Sequence, residues 1–131
     1  MYQILCYIKK KLFLIDSQDT VYGNPSYDLA SLVDDVRCKT TKKFKNQLLK
    51  EYFALNKKFE NEKIMNDFEI LSVLRNLKII GIFTRLSLRD KKHKYLKLIP
   101  YAWKLIHDRS MDLKFKELNI FLDHYNLKKK I

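Results

Sequence analysis

The fold of this chain is decided by residues 61–88, which read NEKIMNDFEILSVLRNLKIIGIFTRLSL. Apolar side chains recur there at spacings of three and four residues, which is the period of one helix face. They are Ile64, Phe68, Leu71, Ile79, Ile82 and Leu86. The spacing predicts one long helix. Gly81 lies inside this segment, where glycine costs about 1 kcal/mol relative to alanine, so we expect a close helix contact or a kink there.

Two shorter helical patterns precede the long segment. Residues 27–37 place Leu29, Leu32, Val33 and Val36 on one face, with Ser26 or Asp28 as a possible N-cap. Residues 40–56 form the second pattern, with Thr41 as the expected N-cap. The apolar stripe of this second helix consists of Phe44, Leu48, Leu49, Tyr52 and Phe53.

Two more helices are predicted after the long segment, over residues 92–107 and 113–126. Pro100 lies inside the first of them, and a proline disfavours helical geometry at the residue before it. We therefore expect a break near Ile99. Trp103, Tyr95 and Tyr101 fit core positions better than a stacking platform for a ligand.

The N-terminal residues show a different period. Residues 3–8 and 12–15 are rich in Ile, Leu, Tyr and Phe, which predicts two short strands joined by the basic turn Lys9–Lys11. A loop with Gly23, Asn24 and Pro25 follows. The predicted fold is therefore mainly α, a short β-hairpin followed by a helical bundle. Because a lone hairpin is marginal in water, we expect the chain to start partway through a larger fold.

Composition sets the broad class of the protein. The 131 residues are 47% hydrophobic, enough for a single core, and the formal net charge is +12. Such a charge attracts polyanions, although lysines spread along helices are usually a solvated face. The apolar runs are shorter than the roughly 18 residues of a membrane span.

Two cysteines, Cys6 and Cys38, indicate a reduced, cytoplasmic chain in which both are buried. The three histidines, His93, His107 and His124, lack metal-ligand spacing and fit the surface.

One stretch carries recognisable chemistry. Leu12-Phe13-Leu14-Ile15-Asp16 runs directly into Ser17-Gln18-Asp19. An apolar strand that ends in a carboxylate projects this group into a loop, where it can hold Mg²⁺ against nucleotide phosphates. Many strands end in Ile-Asp without such a role, so the residues alone leave both interpretations open.

Two blocks of sequence together indicate a family. The first is Ile15-Asp16-Ser17-Gln18-Asp19 with Tyr22-Gly23-Asn24-Pro25-Ser26-Tyr27-Asp28-Leu29-Ala30-Ser31-Leu32. The second is Leu74-Arg75-Asn76-Leu77-Lys78-Ile79-Ile80-Gly81-Ile82-Phe83-Thr84-Arg85-Leu86, followed by Ile99-Pro100. In this order and separation they resemble the aminoglycoside phosphotransferase superfamily, nearest to its N-acetylmuramate/N-acetylglucosamine 1-kinase branch. The resemblance spans residues 12–100 and implies the C-terminal lobe of a protein-kinase-like fold.

The resemblance assigns roles to residues of this chain. It implies that Asp16 binds the metal, that Gln3 stands near the second metal ligand, and that Asp28 supports the catalytic loop at a helix start. It also implies a possible substrate cleft, formed by Asp19, Asp34, Asp35 and Arg37. Arg75 and Arg85 are expected to be partly buried and paired with carboxylates. On this basis the chain is one partial domain, with residues 1–26 as hairpin and metal-binding loop and residues 27–131 as helical subdomain.

Departures from the family pattern limit the predicted activity. Ser17 stands where the family has Phe, and the 131 residues contain no His-x-Asp catalytic loop, glycine-rich nucleotide loop or small-lobe lysine. No catalytic residue is therefore retained, which leaves it uncertain whether the chain itself is an enzyme.

The predicted function is that of a C-terminal fragment of an ATP-dependent phosphotransferase. The complete enzyme would use Mg²⁺ and ATP on a hydroxyl of a sugar, amino sugar or aminoglycoside, and the missing N-terminal portion would lie in cis or in trans. The fragment is expected to be inactive alone and to bind neither cofactor tightly. Two alternatives remain: a non-catalytic binding module on the same fold, or a basic helical protein that binds nucleic acid, for which no recognition-helix motif is present.

Overall fold

A computed structural model describes residues 5–8, 11–14, 23–57 and 60–125, with the backbone alone described for the first two ranges. Strand β1, Leu5–Ile8, pairs antiparallel with strand β2, Lys11–Leu14. Leu5 stands opposite Leu14, and Ile8 opposite Lys11. The remaining positions of the predicted hairpin and its basic turn lie partly outside the described residues, so the hairpin as a whole stays a prediction.

The described part of the chain is mainly helical, as the sequence predicts. Its α-helices are α1, Ser26–Val33; α2, Lys42–Leu55; α3, Asn61–Asp90; α4, Ile99–Arg109; and α5, Lys116–His124. Two 3₁₀ segments, His93–Leu98 and Leu113–Phe115, precede α4 and α5. The predicted break at Pro100 is confirmed, because α4 begins at Ile99 with the proline in its first turn, where its missing N–H is not needed.

Helix α3 is the centre of the fold, and its buried face contributes to two hydrophobic clusters. The first cluster joins the C-terminal part of α3 to α4, α5 and the turn after α1. Its buried members are Val36, Val73, Ile79, Ile80, Phe83, Ile99, Ala102, Leu105, Ile106, Phe115 and Leu122. The second cluster joins the N-terminal part of α3 to α1 and α2. Its buried members are Leu29, Ala30, Val33, Leu49, Ile64 and Phe68.

Helix α1 packs along α3, and two hydrogen bonds with the same sequence separation join them. The Ser26 hydroxyl donates to the Ile64 carbonyl at 3.4 Å, and the Ser72 hydroxyl donates to the Asp34 carboxylate at 2.7 Å. Each pair is separated by 38 residues, so α1 and α3 run in the same direction. This arrangement brings the turn after α1 against the middle of α3.

Two N-cap predictions have different outcomes. The Thr41 hydroxyl accepts from the Phe44 amide at 3.2 Å, so this residue caps α2 as predicted. Neither Ser26 nor Asp28 caps α1, whose first amide, that of Ser26, donates to the Asn24 side chain at 2.9 Å. Ser26 is buried, and its hydroxyl donates to the Ile64 carbonyl of α3 instead of accepting a hydrogen bond from an amide of α1.

Three further expectations need correction. A Cβ built at Gly81 meets no atom within 4 Å and α3 continues through it, so no neighbouring helix demands glycine there. The predicted inward position Phe44 is 48% exposed, while Lys45 is only 8% exposed. Cys38 is an exposed free thiol rather than a buried one, since it lies in the open turn after α1.

The described residues include no helix long and apolar enough to cross a membrane.

Candidate functional site

The end of α1 carries a fully buried carboxylate, that of Asp34, which has no exposed surface. The Lys45 ammonium donates to its Oδ1 at 2.7 Å, and the Arg109 Nε donates to its Oδ2 at 2.9 Å. The Ser72 hydroxyl donates to the same Oδ2 at 2.7 Å. These partners come from α2, α4 and α3, so one carboxylate connects four helices. We refer to these four residues as the Asp34 hub.

The charge of Asp34 is stabilised by its partners. Burial by itself raises the pKa of this carboxyl, but the hydrogen bonds and charge of Arg109, followed by the bonds from Lys45 and Ser72, outweigh it. The pKa of Asp34 therefore lies below its ordinary value of 3.8, and the group is ionised at neutral pH. A carboxylate with two bound cations and no exposed surface cannot reach a substrate or a metal while these bonds hold. The geometry makes Asp34 a structural anchor.

A second group of charges lies on the surface beside the hub. The Arg37 Nε donates to the Asp35 Oδ1 at 2.8 Å, and the Arg37 backbone amide donates to the same oxygen at 2.9 Å. Burial raises the pKa of Asp35, yet the bonds from Arg37 and the nearby Arg75 charge bring it below 3.8. Asp35 and Arg37 thus form an ion pair on the surface beside the hub. Their predicted place in a substrate cleft stays a prediction.

Arg75 lies under this ion pair on α3 and is only 9% exposed, which confirms the predicted burial. Its pKa is lowered by burial, with the Asp35 carboxylate as the largest opposing influence. Its Nη1 is buried without a hydrogen-bond partner in the part of the chain that the structure describes. Arg85, the other arginine expected to be buried, is exposed, since it lies on the outer face of α3.

Tyr27 of α1 and Lys78 of α3 form a further polar contact between these two helices. The Lys78 ammonium donates to the Tyr27 hydroxyl at 3.1 Å and lies 5.6 Å from the centre of the ring. Asp28 follows on the first turn of α1 and is exposed. The exposed polar groups on and just after α1 therefore include Asp28, the Asp35–Arg37 pair and the Tyr27–Lys78 pair, of which the last connects α1 to α3.

Gln3, Asp16 and Asp19 lie outside the described residues, so the predicted metal site stays a prediction. Over residues 23–57 and 60–125, no group of three or more His, Cys, Asp or Glu side chains is placed to hold a metal ion. The described carboxylates near the end of α1 do not fit Mg²⁺ either, because Asp34 and Asp35 are already bound to cations. The three histidines are exposed, as predicted.

Sequence reasoning missed three members of the Asp34 hub. Lys45, Ser72 and Arg109 are separated by up to 64 residues, and no local motif connects them. One signal was available: Lys45 is four residues before Leu49, so it lies on the inward face of α2. A lysine on a buried helix face requires a carboxylate partner, because an unpaired buried charge is costly. The inward position of Lys45 therefore predicts a buried acid near α2 without identifying which residue it is.

Comparison with known proteins gives one curated relative and no family model. The relative is the N-acetylmuramate/N-acetylglucosamine kinase of Caulobacter vibrioides, which is 30% identical over 112 residues. The match covers 86% of this chain but only 31% of that kinase. No family model matches the chain. The chain is thus similar to one part of a sugar kinase.

Proposed function

We propose that this chain forms the helical part of the C-terminal lobe of a kinase-fold phosphotransferase. The complete enzyme would transfer a phosphoryl group from ATP to a hydroxyl of a sugar, amino sugar or aminoglycoside. The observation that carries the proposal is the 112-residue similarity to a kinase of N-acetylmuramate and N-acetylglucosamine. That similarity covers most of this chain and agrees with the family suggested by the two sequence blocks.

The mainly helical fold supports the proposal. A lobe of this kind must hold a catalytic loop and a substrate in fixed positions, because phosphoryl transfer depends largely on positioning and electrostatics. The Asp34 hub connects α1, α2, α3 and α4 through bonds of 2.7 to 2.9 Å. Such a network fixes the orientation of α1, whose first turn carries the exposed Asp28. In the proposed enzyme, Asp28 would support the catalytic loop.

The proposal divides the chemistry between this chain and the remainder of the kinase. Asp16, with Gln3 nearby, would contribute to holding Mg²⁺, and Asp19, Asp35 and Arg37 would lie toward the substrate. The 131 residues contain no His-x-Asp loop, so the residue that orients the attacking hydroxyl would come from sequence outside this chain. Without that residue the isolated chain is expected to give no turnover with Mg·ATP and an amino sugar.

A chimeric kinase tests the proposal directly. The matching 112-residue segment of the Caulobacter vibrioides kinase is replaced by the corresponding residues of this chain, and phosphate transfer from ATP to N-acetylglucosamine and N-acetylmuramate is measured. We expect the chimera to be active and its Asp16→Asn variant to be inactive. The matched control is Asp108→Asn, which changes an exposed aspartate on α4 and should leave activity within about twofold.

Two results would contradict the proposal. One is a chimera that folds, as judged by a cooperative thermal transition, but transfers no phosphate to any of the tested sugars. The other is turnover by the isolated 131-residue chain that survives Asp16→Asn, since the metal ligand and the base would then lie elsewhere. Sequencing the DNA and transcript upstream of the Met1 codon addresses the same question independently. A glycine-rich loop and a His-x-Asp segment are expected in frame or in a shifted frame.

A further inference from the structure

One corner of the fold carries a dense group of positive charges. Residues 85–97 contain six cations and one acid, Asp90, which gives +5 of the total net charge of +12 within thirteen residues. By contrast, residues 98–125 contain four cations and four acids. Residues 37–50 form a second basic segment, with six cations and no acid, so the basic character falls into local groups rather than being spread evenly. We call residues 85–97 the cationic corner.

The cationic corner is a shaped surface rather than a flexible tail. Helix α3 ends at Asp90, the chain reverses at Lys91 in a left-handed conformation, and the 3₁₀ segment 93–98 folds back along α3. Tyr95 stacks on Phe83 with ring centres 5.3 Å apart, and the His93 ring bonds the Ser87 hydroxyl at 2.7 Å. The cations of the last α3 turns and those of the 3₁₀ segment thus lie side by side.

These cations are available to an external partner. Arg89 binds Asp90 through Nε at 2.6 Å, which neutralises the one acid of the corner. The other five cations are exposed and make no ion pair with any residue in 23–57 or 60–125. They are Arg85, Lys91, Lys92, Lys94 and Lys97. Elsewhere in the described chain, Arg37, Lys45, Lys104 and Lys114 pair with carboxylates. The exposed Lys42, Lys43 and Lys50 make no ion pair with a described residue, and they therefore serve as the comparison set below.

Exposed leucines stand among these cations. Leu88 is 72% exposed and Leu96 is 39% exposed, while the aromatic ring of Tyr95 is turned inward onto Phe83. Nucleic-acid surfaces typically offer aromatic rings for stacking and arginine forks for base edges. A lysine-rich surface with projecting leucines instead fits the interface of an anionic bilayer, where ammonium groups meet phosphates and leucines enter the acyl boundary.

We propose that the cationic corner docks this chain on an anionic phospholipid surface. The exposed lysines and Arg85 supply the electrostatic attraction, and Leu88 and Leu96 supply apolar contact below the headgroups. The docking is peripheral and reversible, because the area is small and the attraction is screened by salt. The proposal does not depend on kinase activity, so it can fail or hold independently of the proposed function.

Vesicle sedimentation with the full 131-residue chain tests this proposal. Vesicles of phosphatidylcholine alone are compared with vesicles that also contain phosphatidylglycerol, at low and at high salt. The corner variant changes Arg85, Lys92, Lys94 and Lys97 to glutamine. Lys91 is left in place, because a substitution at its left-handed backbone conformation could alter stability as well as charge. The matched control changes Lys42, Lys43, Lys50 and Lys57, which are also exposed, and so carries the same net charge.

We expect binding to the anionic vesicles alone, weakened at least about tenfold in the corner variant and changed less than about twofold in the control. Leu88→Gln should weaken vesicle binding several-fold, whereas Leu55→Gln, at a residue 85% exposed on α2, should not. Circular dichroism verifies the fold of each variant. Lys94→Glu, a single exposed change, serves as a second corner variant if the quadruple variant does not fold.

Several outcomes would overturn the proposal. Equal weakening in the corner variant and the control would mean that only net charge matters. If Leu88→Gln leaves vesicle binding unchanged, Leu88 does not contact the bilayer, which contradicts the proposed apolar contact. A single-stranded oligonucleotide forms the last arm: binding to it without binding to anionic vesicles would indicate a nucleic-acid surface instead. No binding to anionic vesicles at low salt would also end the proposal.

Discussion

At the scale of single residues, the Asp34 hub is the feature on which the helices depend. Lys45 and Arg109 are both largely buried, and both direct their charge to the same carboxylate. Removing the shared acceptor would leave two desolvated cations without a partner. A buried charge that loses its partner costs far more than a surface ion pair contributes, because water cannot replace the lost interaction.

We predict that Asp34→Asn lowers the free energy of unfolding by about 3–5 kcal/mol, since Lys45 and Arg109 would remain buried and uncompensated. Urea denaturation followed by far-UV circular dichroism measures this loss. The control Asp108→Asn breaks an exposed i,i+4 pair with Lys104 and should cost less than about 1 kcal/mol. Similar losses in both variants would show that the hub is not the anchor described above.

The Asp34 hub also predicts a dependence of stability on pH. Because the folded pKa lies below the ordinary value of 3.8, the unfolded state takes up the proton first as the pH falls. The contribution of Asp34 is therefore fully present above the unfolded pKa and is lost as the pH falls through the folded one. The stability difference between wild type and Asp34→Asn should be constant near neutrality and shrink below about pH 4. A difference that stays unchanged in acid would contradict the assignment.

At the scale of elements, helix ends are where local sequence and structure disagree most. The long helix α3 was expected to end near residue 88 and ends at Asp90, where Lys91 adopts a φ of 55°. This left-handed conformation is the usual C-terminal stop of a helix, and glycine normally occupies it. A lysine there carries a steric cost between its Cβ and the backbone, yet the reversal is needed to bring Tyr95 onto Phe83.

We predict that Lys91→Gly stabilises the chain by about 1 kcal/mol, because glycine removes the steric cost of the left-handed conformation. Thermal and urea denaturation measure the change. Lys92→Gly removes the same charge at the next residue, where φ is −88°, and should destabilise the chain by about 0.5–1 kcal/mol. Stabilisation by both substitutions would point to relief of charge repulsion in the cationic corner instead.

At the scale of the whole molecule, α3 makes one cooperative unit from two hydrophobic clusters. Ile64 and Phe68 belong to the second cluster, whereas the first cluster contains Val73, Ile79, Ile80 and Phe83 of the same helix. The Arg109 guanidinium lies 4.8 Å from the centre of the Phe68 ring, so the Asp34 hub rests directly on the second cluster. A substitution that disrupts packing at one end of α3 should therefore also destabilise the cluster at the other end.

We predict that Phe68→Ala, at a fully buried ring, destabilises the chain by about 3–5 kcal/mol. The single tryptophan, Trp103, packs against the first cluster and reports on the remote half of the molecule. Its fluorescence transition should shift by the same amount as the transition seen by circular dichroism. Leu55→Ala, at an exposed leucine, is the control with little effect. An unshifted Trp103 transition would show two independently unfolding units.

The helical class, the long central helix and the break before Pro100 could all be predicted from local sequence. Hydrophobic period and proline geometry are local properties, so a window of ten to twenty residues contains the information. The possible substrate cleft at Asp19, Asp34, Asp35 and Arg37 came instead from the family resemblance, and it stays a prediction.

The roles of Asp34 and of the cationic corner, in contrast, depend on tertiary contacts. Asp34 is a buried anchor because Lys45, Ser72 and Arg109 reach it from three other helices, and contacts across such distances leave no local pattern. The cationic corner likewise needs the reversal at Lys91, which brings two basic segments onto one surface. The number of charges and the apolar period can be determined from the sequence. Which charges become neighbours depends on how the helices pack.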